Sequence, residues 1–526
     1  MEDGYEQNAL TEQTGELEPA VLSEPAFSPE LGVQNRGGKG KKIFAIIAAI
    51  SLTLALFALI TAVVLVNIER KPFYNFQKSD LYFVKDDGAL LIVTGSGTIK
   101  KIDLDDCEDF EYTAVKDYSG QRAVIHITRK ITVFPLKTDQ MLFMFDGRSV
   151  KEIVRSQMSI PFVFLSPDGQ SAIYINDRLY FYYGGRSTLL AEDDRGIIPS
   201  AIDNEGNIGY VISDGKTALS YYYDGTQTLP LGDSNVLFLS TKGNLLYLTR
   251  QNEKQNSVSI DVQKGMDKST RIKLYDNISF TVYMNYDATQ ALITGSKGTV
   301  FSKNGGEPVK VSDHELSPII PVPREELDKD VIASQRFSDL ESAYFAERSS
   351  GSIVSIKGGK RKVIATNIKR EAFNDCHLSD DGKRIWYVVG QTIYYVDPNE
   401  ENPEQRILAY TEKMDKWIVS SDAKTVFSAD YYMNVYAHAE GSETTAKIFT
   451  GKGDYRTIFK MQYFRDKLYF IHDGKLYSSN GGNAVNVANA PEDITGIECS
   501  RHLMIIKTKG GGLFFSTNGK SFKKIK

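Results

Sequence analysis

The chain of 526 residues holds 6 histidines and 3 cysteines, the side chains whose chemistry is easiest to place from spacing. Cys376-His377 and Cys499-x-x-His502 are the closest pairings of the two types. A structural zinc closes four nitrogen and sulfur ligands around itself, and neither pair has a second motif nearby, so both read as buried thiols beside edge histidines. Cys107 sits in Asp105-Asp106-Cys107-Glu108-Asp109, where the carboxylates disfavour the thiolate and make a poor nucleophile. His314-Glu315 begins like a helical zinc-protease motif, but Pro318 stands where the second histidine belongs. Gly215-Lys216-Thr217 ends like a phosphate-binding loop, yet Tyr210 occupies the position of its first glycine and the flanks read as strands. Gly95-Ser96-Gly97 lacks the third glycine of a dinucleotide fingerprint, and Ser96 lacks the outer glycines of a nucleophile elbow. No catalytic, cofactor-binding or metal-binding residue is therefore assigned from the sequence, no cofactor is expected, and a non-enzyme is expected.

The elements around these residues are strands. Twenty-nine Tyr and 27 Phe against 2 Trp suit a pleated, half-buried surface. Trp386 and Trp417 are also too few to dock a quinone cofactor blade by blade. From Phe76 onward short apolar runs alternate with Gly, Asp and Asn turns, and two hairpins recur. One is carried by Leu142 to Val154, Leu179 to Leu190, Leu219 to Leu231, Thr299 to Val311, Ser352 to Ile364, Leu476 to Val487 and Leu513 to Ile525. Asp-Gly, Asn-Gly or Gly-Gly at its tip supplies the positive φ of a tight turn. The other has a polar tip at Asp168, Asn204, Lys242, Asp287, Asp381 and Asp422, about 36 to 45 residues apart with one double interval. The aspartates read first as turn formers rather than calcium ligands. Two hairpins per period make four strands, the content of a propeller blade.

Leu165-Ser166-Pro167-Asp168-Gly169 and Leu378-Ser379-Asp380-Asp381-Gly382 resemble the Asp-Gly-tipped, WD-like repeats of TolB-like bacterial β-propellers. The resemblance covers most of residues 76–526 and implies a fold, not an activity. The expected fold class is all-β: β-propellers of four-stranded antiparallel blades, preceded by one transmembrane α-helix. About eleven units fit, more than the ~4–8 blades of a typical ring. Three prolines in Ser317 to Pro323 and the charged stretch after them suggest a linker over 317–334. It would separate a first propeller over 76–316 from a second over 335–526, the alternative being one irregular ring over 76–526.

Residues 1–42 read as a disordered tail, acidic over its first 35 positions (Glu2, Asp3, Glu6, Glu12, Glu16, Glu18, Glu24, Glu30) and basic at its end (Arg36, Lys39, Lys41, Lys42). An uncharged run follows from Ile43 to Val66; at ~1.5 Å per residue it exceeds the ~30 Å hydrocarbon layer, so 43–68 is expected to span a membrane, with 69–75 as a stalk. The basic cluster before the span places the N-terminus in the cytoplasm and the C-terminal domain outside, as a signal-anchor does. The outer domain is close to neutral, which removes the field needed for sequence-independent nucleic-acid binding. The expectation is a single-pass cell-envelope protein whose propeller binds a protein, peptide or wall polymer. Two alternatives remain: a lyase or glycosidase using carboxylates from separate blades, and a transmembrane sensor using the small residues Ala45, Ala49, Ser51, Ala55, Ala58 and Ala62 of the span.

Overall fold

Alternating apolar runs cannot cover both faces of a sheet by themselves, and their turn residues decide where each run reverses. In the computed structural model, Gly169 and Gly382 adopt φ of +69° and +70° at the tips of the polar hairpins, which suits the one residue without a Cβ. At the matching tips of two other sheets, Ala288 and Ala423 are held at φ of +51° and +52°, packed under buried apolar neighbours. The structure describes residues 81–526 apart from 105–108, 118, 132–136, 214–217, 233, 241–243, 253–256, 322–336, 338, 412–413, 415, 443, 452–459 and 501.

The described strands form eleven sheets, each a simple meander in chain order. Ten have four strands and the first has three among the described residues. The fold is an all-β propeller of eleven blades: 81–103, 110–156, 163–191, 196–232, 234–277, 281–312, 317–365, 376–410, 416–449, 461–486 and 494–524, numbered 1 to 11. Blade 3 shows the pattern: Val163–Leu165, Ser171–Asn176, Arg178–Tyr183 and Arg186–Ala191 pair antiparallel in sequence. The polar-tipped hairpin joins the first two strands of a blade, and the Gly-rich hairpin joins the last two. Both hairpins lie where their turn residues place them, and the number of blades follows from the repeat period.

Strands such as Ala89–Thr94 and Gln290–Gly295 are buried at every position, because a neighbouring blade covers each face. Apolar cores accordingly lie between blades rather than within one. Val124, Leu142 and Met144 of blade 2 meet Ala172, Tyr174 and Tyr182 of blade 3. The same alternation continues through blades 3 and 4, 4 and 5, 5 and 6, 8 and 9, 9 and 10, and 10 and 11. Val93 of blade 1 then packs on Leu503, Ile505 and Phe515 of blade 11.

The expected linker over 317–334 falls partly on residues outside the description. On its described flanks one apolar cluster continues from Leu292 and Phe301 through Leu316 and Ile319 to Phe345, Leu378 and Tyr387. Pro318 pairs with Phe345 as part of blade 7. The expected tail (1–42), span (43–68) and stalk (69–75) lie outside the described residues. Among the described residues no helix is long and apolar enough to cross a membrane.

Candidate functional site

The aspartate tips are occupied by their own turns. Asp168 Oδ1 accepts from Ser166 Oγ at 2.7 Å and from the Gln170 amide at 3.0 Å. Asp381 accepts from Ser379 Oγ and the Lys383 amide, and Asp422 from Ser420 Oγ and the Lys424 amide. A carboxylate that satisfies its hairpin in this way is a turn former. The tips also fasten blade to blade: the Asp168 amide donates to Asn204 Oδ1 at 2.8 Å, and Arg122 Nη1 donates to the Asp168 carbonyl at 2.7 Å. No group of His, Cys, Asp and Glu suited to a metal occurs among the described residues.

The two cysteine and histidine pairings fall in blades 8 and 11 and are not brought together. Burial pushes the Cys376 thiol up and the His377 imidazole down, which keeps both neutral. His377 packs against Trp386 with centroids 4.9 Å apart and the rings tilted by 44°, and Trp386 meets Trp417 edge-on, so the two tryptophans serve packing. Cys499 is fully buried in the core between blades 10 and 11. His314 and Glu315 are exposed on the turn before Leu316. Cys107, Lys242 and residues 215–217 lie outside the described residues. Gly95, Ser96 and His502, set aside individually in the sequence, line one small pocket together.

The larger cavity is a groove of about 840 Å³ between blades 8 and 9, within the usual size range of ligand pockets. Its apolar wall is Ile407, Leu408, Ala409 and Tyr410 of Arg406–Tyr410, the outermost strand of blade 8, together with Met414. Tyr410 and Ile407 are 64% and 44% exposed. The opposite wall belongs to blade 9 and is polar: Ser428, Asp430, Tyr436, His438 and the hydroxyls of the 442–445 turn. Cross-strand alternation places Ser428 opposite Tyr436 and Val426 opposite His438, so the polar groups stand in neighbouring rows of one face.

Within that wall the hydrogen bonds are fixed. His438 Nε2 and Ser428 Oγ lie 2.8 Å apart, and His438 Nδ1 lies 3.1 Å from Thr445 Oγ1. Burial lowers the imidazole's pKa, so the ring is neutral at pH 7. Asp430 accepts from the Tyr432 and Asn434 amides, from Asn434 Nδ2 and from Tyr436 Oη. Burial alone would raise its pKa, but the Asn434 and Tyr436 hydrogen bonds outweigh it and hold the carboxyl below the usual range. Four donors fill a carboxylate's acceptor sites, so Asp430 shapes the wall and has no lone pair left for a substrate. A serine and a histidine in contact can make a nucleophile and base, yet here the orienting third group is a threonine hydroxyl and Ser428 is 2% exposed. The arrangement presents an apolar shelf facing hydroxyls, a neutral imidazole and a saturated carboxylate. Sequence reasoning did not reach this groove, since Tyr410 and His438 are brought together only by the stacking of blade on blade.

No known protein family matches the chain, and no curated protein does. Among solved structures it is similar to a GH74 xyloglucanase from Xanthomonas campestris, at 9% identity over 85% of this chain and 76% of that one, with a TM-score of 0.26. It is also similar to a GH74 enzyme from Niastella koreensis, at 10% identity over 85% and 84% of the two chains, with a TM-score of 0.24. A third is the β-propeller domain of the Trilobed protease from Pyrococcus furiosus, at 15% identity over 63% and 98%, with a TM-score of 0.22. Likeness at this level says nothing about what the chain binds or does.

Proposed function

We propose that this chain is a membrane-tethered binding scaffold of TolB-like kind. The segment 43–68 crosses the membrane once with the N-terminus in the cytoplasm, and the propeller outside holds an extended segment of protein, peptide or wall polymer. In this reading the eleven blades form one ring rather than separate propellers over 76–316 and 335–526. The packing of blade 1 on blade 11 supports that choice.

The observation that carries the binding reading is the groove between blades 8 and 9. The outermost strand of blade 8 borders it, apolar side chains face hydroxyl, carboxylate and imidazole groups across it, and Tyr410 stands exposed at its edge. An extended chain that is apolar on one side and hydrogen-bonding on the other matches both walls, and such chains commonly dock beside an edge strand. Among the described residues the wall offers one carboxylate, Asp430, which is already saturated, whereas a glycosidase requires an available pair.

A photo-crosslinking side chain at position 410 of the full chain, in intact cells, tests the reading. The control is the same group at Tyr183, which is 58% exposed on blade 3. Capture of a peptide or polymer at 410 and not at 183, with external protease removing the propeller, is the expected result. Equal capture at both positions, or none at 410, rejects the groove. A propeller that survives external protease while a cytoplasmic control stays intact rejects the orientation.

A further inference from the structure

The pocket of about 290 Å³ that gathers Gly95, Ser96 and His502 lies at the seam between the two ends of the propeller, away from the groove. Its lining comes from four successive blades in packing order: Arg465 from blade 10, His502 from blade 11, Thr94 and Ser96 from blade 1, and Gln121 from blade 2. Among the described residues of this lining Arg465 carries the one permanent charge, and none is a carboxylate. The remaining polar side chains are an amide, two hydroxyls and an imidazole. Thr94 Oγ1 and Ser96 Oγ lie 2.8 Å apart on the turn after Ala89–Thr94.

The backbone that presents Arg465 is itself unusual. Phe464 pairs with Lys467, so Arg465 and Asp466 form a two-residue hairpin turn with φ of +44° and +61°. Asparagine and glycine suit that turn, and an arginine there carries a local strain of the kind that accumulates at functional positions. Its two side chains reach different neighbours. Asp466 Oδ1 accepts from Ser421 Oγ of blade 9 at 3.2 Å, while Arg465 lines the pocket and lies 5.9 Å from the Phe464 ring centroid. Among the described residues no carboxylate pairs with Arg465.

We infer that this pocket binds a small monocarboxylate bearing hydroxyl or amide groups, held by the Arg465 fork and bridging the first and last blades. A planar guanidinium matches a carboxylate through two parallel hydrogen bonds. One guanidinium balances one negative charge, whereas a phosphate monoester at about −1.5 to −2 would leave excess charge beside the described lining, which holds no second permanent cation. The volume, at the lower end of the ~300–1,000 Å³ range for ligand pockets, fits a single sugar acid or acylated amino acid. Because the lining spans the seam, a bound ligand stabilises the packing of blade 11 on blade 1.

Calorimetric titration of the full chain in detergent micelles tests this, with D-glucuronate and N-acetyl-L-alanine as probes and glucose and inorganic phosphate as comparisons. Binding of one or both carboxylates at a single site, at least ten-fold tighter than glucose or phosphate, is expected. The two probes separate a uronic acid from a peptide C-terminus as the source of the carboxylate. Arg465→Asn places a residue suited to the turn, so it should keep or raise the melting temperature while weakening carboxylate binding at least ten-fold. Binding of neither carboxylate overturns the proposal, as does phosphate binding as tightly as the carboxylates. Carboxylate affinity unchanged within two-fold in Arg465→Asn overturns it as well. Loss of capture at Tyr410 would not bear on it, since the groove lies between other blades.

Discussion

Two seams of the propeller use the same kind of packing under opposite constraints. Between blades 6 and 7 the chain passes directly from one sheet to the next, and the cluster there is extensive, running from Leu292 through Phe345 to Val396. Between blades 11 and 1 no strand is shared among the described residues, and four buried side chains make the core: Val93, Leu503, Ile505 and Phe515. The first seam can also accommodate a buried charge. Glu347, 1% exposed, accepts from Arg361 Nη2 at 2.6 Å and from Ser312 Oγ of blade 6 at 2.5 Å. The second uses apolar contact and a surface bond from Lys526 Nζ to the Lys85 carbonyl. Chain continuity holds blades 6 and 7 near each other even when packing is lost. Blades 11 and 1 meet only while packing holds, so the closing seam is the place where the molecule opens at least cost.

The largest effect expected is at the continuous seam. Glu347→Ala removes one partner of a buried ion pair and leaves Arg361 uncompensated, a loss of about 3–5 kcal/mol on chemical denaturation of the full chain. A loss below about 1 kcal/mol would mean that water already reaches this pair, and the contrast between the seams would fail. Phe515→Ala comes next, at about 3 kcal/mol for deletion of a buried ring. Its signature is spatial: amide exchange should accelerate in 81–103 and 494–524 and stay unchanged in 344–389. Uniform acceleration in all eleven blades would instead make the propeller one cooperative unit. A smaller effect follows from pH. Burial alone would raise the Glu347 pKa, but Arg361, Ser312 and Ser350 outweigh it and hold the carboxyl below its usual range. A depressed carboxylate contributes stability that is present above its unfolded pKa of about 4.3 and is lost as pH falls through the lower folded value. Glu347→Gln should therefore flatten the acid limb of stability against pH, and an unchanged limb would place acid sensitivity elsewhere.

The blades were legible because the turn chemistry repeats. Asp168-Gly169 and Asp381-Gly382 sit between alternating runs, and a positive φ at the glycine leaves few other readings of such a segment. Even the degenerate tips, Asp287-Ala288 and Asp422-Ala423, keep the carboxylate that caps the turn, which is why the period survives loss of the glycine. The cavities were not legible, since each is assembled by stacking. Tyr410 and His438 belong to adjacent blades, and Ser96 and His502 stand about four hundred residues apart until blade 11 meets blade 1. The one local signal was Arg465, an arginine at positive φ in a two-residue turn, and it can be recognised only once Phe464 and Lys467 are known to pair.

The smallest expected effect discriminates most sharply between two ways of holding the closing seam. If blades 11 and 1 are joined by apolar packing, then the bond from Lys526 Nζ to the Lys85 carbonyl, 3.1 Å long and exposed, adds little. A hydrogen bond on the surface exchanges one solvated state for another, and the flexible lysine loses rotamer freedom in making it. Lys526→Ala should then cost no more than about 0.5 kcal/mol and leave amide exchange in 81–103 unchanged. If the bond were the main tether, the same substitution would speed exchange there as much as Phe515→Ala does. In the double variant the two effects should add, because the lysine acts through a surface hydrogen bond and the ring through the apolar seam core. A coupling of more than about 1 kcal/mol would show that the surface bond orders the ring contact, and closure would then depend on the edge of the seam rather than on its core.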